Sequence, residues 1–144
     1  MQEKPYDKKG LEAALGYTFN DISILETALT HSSYSNELRL KKCECECNER
    51  LEFLGDSVLS IIVSEYLYGH YSRRPEGELT KLRAATVCEK SLAGFARQLE
   101  LGKYLLLGNG EEKNNGRTRP SAIADAFEAL LASMYIDSGM DKER

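Results

Sequence analysis

The stretch Asn48-Glu49-Arg50-Leu51-Glu52-Phe53-Leu54-Gly55-Asp56-Ser57-Val58-Leu59-Ser60-Ile61-Ile62-Val63-Ser64-Glu65-Tyr66-Leu67-Tyr68 decides the fold of this chain. Its apolar residues recur with helical period and its β-branched residues form no alternating run, so it reads as one long helix that stops near Gly69. On a wheel of roughly 100° per residue with Glu49 at zero, Leu51, Leu54, Val58, Leu59, Ile61 and Ile62 fill an arc of roughly 120° to 280°. That arc is the expected core face, and Gly55 inside it lets another helix approach closely. Glu49, Glu52 and Asp56, at i, i+3 and i+7, share a stripe about 60° wide. Like charges stacked in this way repel, and the one basic residue nearby, Arg50, points elsewhere. A bound cation is the simplest thing that makes the arrangement favourable, because hard divalent ions take carboxylate oxygens. Phe53 lies about 40° past Glu49, outside the core arc. A large aromatic at that position reads either as an interface residue or as one covered by the chain's own segment 36–47.

Working outward, the same helical period recurs on both sides, and the expected fold class is all-α. Leu11, Ala14 and Leu15 mark a short first helix ended by Gly16, and Asp21 caps a second through Ile22, Ile24, Leu25, Ala28 and Leu29. The polar run from Ser32 to Cys47 reads as a loop or irregular segment. Beyond the Arg74-Pro75-Glu76-Gly77 turn, a helix starts with Leu79 and Leu82, and another spans about Ser91 to Leu99. Gly108 to Pro120 reads as a polar loop, and Ser121 as the N-cap of a last helix carrying Ile123, Phe127, Leu130, Leu131 and Met134.

That last helix repeats the acidic motif. Asp125 and Glu128 are three residues apart, on the side away from its apolar residues, with the small Ala132 beside them. If the two stripes face each other, four carboxylates converge in a way that suits one or two Mg²⁺ ions. Singly, each acid has a bland reading: Asp125 as a helix-dipole partner, Glu128 as an exposed helical residue. Five acids at stripe spacing on two helices favour a metal site.

Composition bounds the rest. A chain of 144 residues holds one compact domain, and 19 Lys and Arg against 23 Asp and Glu leave a net charge of −4. Such a chain does not bind nucleic acid by diffuse positive charge alone. The N-terminus has no apolar run of a secretory signal, and no stretch approaches the roughly 20 apolar residues that span a bilayer, so the expected location is cytoplasmic. Cys43-Glu44-Cys45-Glu46-Cys47 lacks the usual zinc spacing and a second ligand pair, so no metal is assigned to it. A di-iron helical bundle calls for Glu-x-x-His pairs, and neither His31 nor His70 has a Glu three residues before it.

The block Asn48-Glu49-Arg50-Leu51-Glu52-Phe53-Leu54-Gly55-Asp56-Ser57 resembles, without a gap, the signature stretch of the ribonuclease III family. Leu29-Thr30-His31-Ser32-Ser33-Tyr34 before it, Glu76-Gly77-Glu78-Leu79-Thr80 after it and Ser121-Ala122-Ile123-Ala124-Asp125-Ala126-Phe127-Glu128 further on resemble that family in the same order. The resemblance implies the dimeric helical fold of a bacterial-type endonuclease domain over residues 1–144. It implies an Mg²⁺-dependent enzyme, with Mn²⁺ able to stand in, that cuts double-stranded RNA in rRNA and mRNA precursor processing. Products carry a 5′-phosphate and a 3′-hydroxyl, with short 3′ overhangs.

Carried over position by position, the family pattern makes Glu52, Asp56, Asp125 and Glu128 the metal cluster. It places Glu49 and Glu76 at the rim of the catalytic valley, where they help position metal, water or the scissile strand, and makes Phe53 a dimer-interface ball that enters a socket on the partner. Lys113, Arg117 and Arg119, in the polar loop before Asp125, are the candidate RNA contacts, with Lys81 and Arg83 after the turn. His31 reads as a structural hydrogen bonder. The double-stranded-RNA-binding domain that most members append is absent from this sequence, and an end at Asp141-Lys142-Glu143-Arg144 reads as a cut within a longer protein or as a naturally short relative. A non-catalytic double-stranded-RNA-binding or ribosome-associated relative, the alternative, would be expected to lose some of the six acids, and all six are present. Setting those six aside leaves 17 acidic residues against 19 basic ones, so the remaining surface is mildly basic.

Overall fold

The computed structural model describes residues 8–139. Among these residues the chain is helical, with α1 (Lys8–Leu15), α2 (Ile22–Ala28), α3 (Ser32–Leu40), α4 (Glu49–His70), α5 (Glu76–Val87), α6 (Glu89–Gln98), α7 (Asn109–Lys113) and α8 (Pro120–Asp137). Two 3₁₀ turns, Leu101–Tyr104 and Gly116–Thr118, complete the order. The one β-type contact among the described residues is an isolated parallel bridge between Thr30 and Leu106.

Helix α8 is the central element and packs against α4, α6 and α2. Ala122, Ala124, Ala126, Ala129, Ala132 and Ser133 are buried around it, and side chains this small let its neighbours come close on several sides. The main core lies on one side, where Leu11, Leu25, Leu29, Leu101, Leu105, Leu107, Ile123 and Leu130 close together. On the other, a Cβ on Gly55 would stand 1.9 Å from the carbonyl oxygen of Glu128, so α4 and α8 touch backbone to backbone there. Any side chain at position 55 would push the two acidic helices apart. At the far end of α8, the Asp137 carboxylate accepts from Tyr17 Oη at 2.7 Å and from the N–H groups of Asn20 and Asp21 at 2.8 and 2.9 Å, which pins the segment before α2.

Several boundaries follow the reading of the sequence. Gly16 ends α1 with a φ of 69°, and the Asp21 side chain caps α2 by accepting from Ser23 N–H. Others differ. Ser32–Leu40, read as loop, is helix α3; its one buried residue is Ser35, so it has no apolar stripe to betray it. It starts because His31 Nδ1 accepts from Ser33 N–H. In the polar segment before α8, Asn109–Lys113 forms the short α7. Ser121 is not the cap of α8: Arg119 holds that position and Pro120 is the first helical residue, where its missing N–H costs nothing.

The core arc of α4 is also narrower than the wheel suggested. Leu51, Val58 and Leu59 are buried, while Ile61 is 60% exposed and Ile62 37%. The first half of α4 lies on α8, whereas in its second half Leu67 turns to a groove shared with Leu79 and Arg83 of α5. A single arc cannot describe a helix that changes partner along its length.

Candidate metal centre

The close α4–α8 crossing brings the two acidic stripes together. Glu52 from α4 and Asp125 and Glu128 from α8 each present a ligand oxygen within 4.8 Å of the other two. Asp56, one turn along α4 from Glu52, hydrogen-bonds Glu128 as well. Glu128 is 7% exposed, Glu52 is half-buried, and Asp125 stands at the open edge.

Among the described residues no basic side chain forms an ion pair with these carboxylates. Burial raises the Glu128 carboxyl from 4.5 to about 8, helped by the charges of Asp56 and Glu52 and by hydrogen bonds to both. Asp125 rises from 3.8 to about 6, through loss of water on its inner side and then the charges of Glu52 and Glu89. At neutral pH Glu128 therefore keeps its proton and shares it with its acidic neighbours. A divalent cation with oxygen preference fits this donor set: it would displace that proton and take carboxylates from two rigid helices. Among the described residues this is the one group of three or more ligating side chains gathered at such distances. Cys43, Cys45 and Cys47 are not brought into a common ligand set.

The remaining site residues lie around this centre. Glu49 is exposed in the first turn of α4, one turn before Glu52. Glu76 opens α5, accepts from Thr80 Oγ1 at 2.7 Å and lines a groove with Ser64, Tyr68 and Arg83, outside the cluster of three. Phe53 is 79% exposed. Beside it a cavity of about 700 Å³ is lined by Thr27, Cys47, Arg50, Leu54 and Ile136. An exposed aromatic and a cavity thus share one face.

The basic loop residues divide in two. Lys113 is exposed in the last turn of α7. Arg117 pairs with Glu112 and donates to the carbonyls of Gly102 at 3.0 Å and Leu105 at 2.7 Å. Arg119 pairs with Glu111 and reaches Asn114 O at 3.3 Å. Arg117 holds the loop to the body of the domain through Gly102 and Leu105, and Arg119 braces the loop internally. Glu89, at the start of α6, acts on Asp125 and was not singled out in the sequence; it belongs to neither acidic stripe, and only the α6–α8 packing places it there.

An all-helical domain whose two central helices touch at a glycine and gather carboxylates there has the oxygen donors that a divalent cation takes. A family model described as Ribonuclease-III-like matches residues 21–144, and the chain belongs to that ribonuclease III family. It is 55% identical over 135 residues to Ribonuclease 3 of Oceanobacillus iheyensis, covering 94% of this chain and 58% of that protein. With Ribonuclease 3 of Streptococcus gordonii it shares 53% identity over 126 residues, 88% of this chain and 53% of that protein. The chain thus spans less than two thirds of the length of these curated relatives. Among solved structures, a nuclease domain of ribonuclease III from Campylobacter jejuni, described for flexibility in a region involved in dimer formation, superposes with a TM-score of 0.85 at 41% identity. That match covers 94% of this chain and 89% of that one.

Proposed function

We propose that residues 1–144 are the catalytic domain of an Mg²⁺-dependent endoribonuclease that cleaves double-stranded RNA, with Mn²⁺ able to replace Mg²⁺. The observation that carries this reading is the convergence of Glu52, Asp125 and Glu128, with Asp56 on Glu128, at a crossing where none of the described basic side chains pairs with them. These four residues would hold the metal. When bound, it supplies a water acidic enough to attack the phosphodiester at neutral pH and stabilises charge on the leaving oxygen.

The chain's own residues do the rest. Glu128 and Asp56 orient the attacking water opposite the leaving 3′ oxygen, which gives 5′-phosphate and 3′-hydroxyl products. Glu49 and Glu76 line the approach of the scissile strand. Lys113, on the α7 segment that Arg117 and Arg119 hold in place, contacts phosphate. Two copies assemble with Phe53 of each in the cavity beside Phe53 of the other, an isologous contact because ball and socket lie on one face. Paired cuts from the two sites leave short 3′ overhangs. Precursor rRNA and mRNA are the substrates, in the cytoplasm; among the described residues no helix is long and apolar enough to cross a membrane.

Incubation of the chain with long double-stranded RNA and Mg²⁺, with and without a chelator, tests this reading. Chelator-sensitive cutting is the expected result. Binding without cutting would favour a non-catalytic relative instead.

A further inference from the structure

A groove of about 250 Å³ runs between the second half of α4 and the first part of α5, apart from the acidic crossing and from the cavity beside Phe53. The spacing of α5 builds one wall: Glu76, Thr80 and Arg83, at i, i+4 and i+7, share a face of that helix, and all three are exposed. Ser64 and Tyr68, four apart on α4, line the opposite wall. Each charged side chain of the groove is held by a hydroxyl. Thr80 Oγ1 donates to Glu76 Oε2 at 2.7 Å, which leaves Oε1 able to accept. Arg83 Nη1 donates to Ser64 Oγ at 2.9 Å, which leaves the rest of the guanidinium fork able to donate.

The two opposite charges line one groove without pairing. Among the described residues no ion pair joins Glu76 to Arg83, or either of them to another side chain, although Glu78 nearby does pair with Arg74 at 3.3 Å. Glu76 and Arg83 stand about 10 Å apart along the helix axis, so both stay open to a ligand that brings a hydrogen-bond donor to the first and an anion to the second. An RNA strand has that combination. Phosphate oxygens only accept, and the donor along a ribose-phosphate backbone is the 2′-hydroxyl, which DNA lacks. A carboxylate on the path of such a backbone repels it unless it meets a 2′-hydroxyl or a metal ion, and Glu76 lies outside the gathered ligand group at the crossing. Ser64 follows Asp56 on α4 by about 12 Å along the axis, so the groove is within reach of a duplex whose scissile phosphate sits at the crossing.

We propose that the α4–α5 groove is a ribose-phosphate subsite that tells RNA from DNA: Glu76, oriented by Thr80, accepts the 2′-hydroxyl of one nucleotide, and Arg83, steadied by Ser64, takes a neighbouring phosphate. Tyr68, 78% exposed, and Leu79 give the sugar an apolar surface to lie on. The subsite rests on the nuclease reading above and deepens it, because it gives Glu76 a substrate contact of its own instead of a share in the metal.

A set of double-stranded RNAs, identical but for a single 2′-deoxynucleotide placed in turn at each position around the cut, reads the contact directly with the full chain and Mg²⁺. The wild type should lose about tenfold in kcat/KM at one of these positions, as for loss of a hydrogen bond to a charged group. Glu76→Ala should lose about as much on the all-ribose duplex and then be indifferent to the 2′-deoxy substitution at that same position. Its Mg²⁺ concentration for half-maximal rate should match the wild type; an increase would assign Glu76 to the metal and overturn the proposal. Arg83→Gln should raise KM and reduce the salt slope by about one, while still sensing the same 2′-deoxy position. Both side chains are exposed, so both variants should melt as the wild type does. Glu76→Ala that senses every 2′-deoxy substitution as the wild type does, or a wild type that senses none, overturns the 2′-hydroxyl contact. Unchanged KM and salt slope in Arg83→Gln overturn the phosphate contact. A wild-type chain that cuts no double-stranded RNA overturns the nuclease reading itself, whereas one that cuts but gives either of these results overturns the subsite alone.

Discussion

Two regions of this molecule crowd carboxylates together, and they treat them in opposite ways. Around α3 and α7, each acid has a partner: Glu37 accepts from Asn109 N–H, Glu111 pairs with Arg119, and Glu112 pairs with Arg117. At the α4–α8 crossing, Glu52, Asp125 and Glu128 have one another and Asp56, and Asp125 and Glu128 hold protons more tightly than ordinary carboxyls. The first region uses carboxylates as pins for a polar segment that lacks an apolar face of its own. The second is left short of positive charge by helices too close to separate. A fold that neutralises acids readily in one place and leaves them bare in another supports the proposal that the bare place takes a cation.

The largest effect expected from this contrast is on catalysis. Glu128→Gln and Asp56→Asn should each lower cleavage by more than about a hundredfold, beyond the loss usual for groups that only support a metal's ligands. Near wild-type rates in either would break the assignment of the crossing as the site. The next effect is on geometry. Gly55→Ala places a methyl against the Glu128 carbonyl, and overpacking of this kind should cost about 3 kcal/mol in chemical denaturation and lower activity by moving α4 off α8. The smallest belongs to the paired region. Arg117→Ala leaves the Gly102 and Leu105 carbonyls without their donor, at about 1 to 2 kcal/mol, and should raise KM for RNA while kcat changes little.

The two regions also differed in how far the sequence revealed them. The acidic stripe of α4, the pair on α8 and the close approach at Gly55 are all written in helical spacing; the structure gathers Glu52, Asp125 and Glu128 with Asp56 on Glu128, and leaves Glu49 a turn away. Helix α3 was not legible, because the groups that hold it lie far along the chain: Ser33 meets Gly108 across 75 residues and Glu37 meets Asn109 across 72. Periodicity reports an apolar face, and α3 is fixed by discrete hydrogen bonds instead. Ile61 and Ile62 failed for a related reason, since a wheel assumes one partner along a helix and α4 has two. Glu89 reaches Asp125 only through tertiary packing. Arg117 and Arg119 read as candidate RNA contacts in the sequence, where nothing signals that Glu112 and Glu111 pair with them.

The claim that the crossing is short of a cation is tested most directly by the thermal stability of the metal-free chain across pH, with and without Mg²⁺. Glu128 and Asp125 bind protons more tightly folded than unfolded, so the unfolded state loses protons first as pH rises and stability falls with it. The metal-free chain should be at its most stable, as far as these two groups decide, below about pH 4, and should lose stability progressively up to about pH 8. Mg²⁺ at pH 8 should restore what was lost, and Glu128→Gln should flatten the decline while weakening the response to Mg²⁺. A melting temperature that does not fall over that range in the metal-free protein, or that Mg²⁺ leaves unchanged at pH 8, would contradict the account.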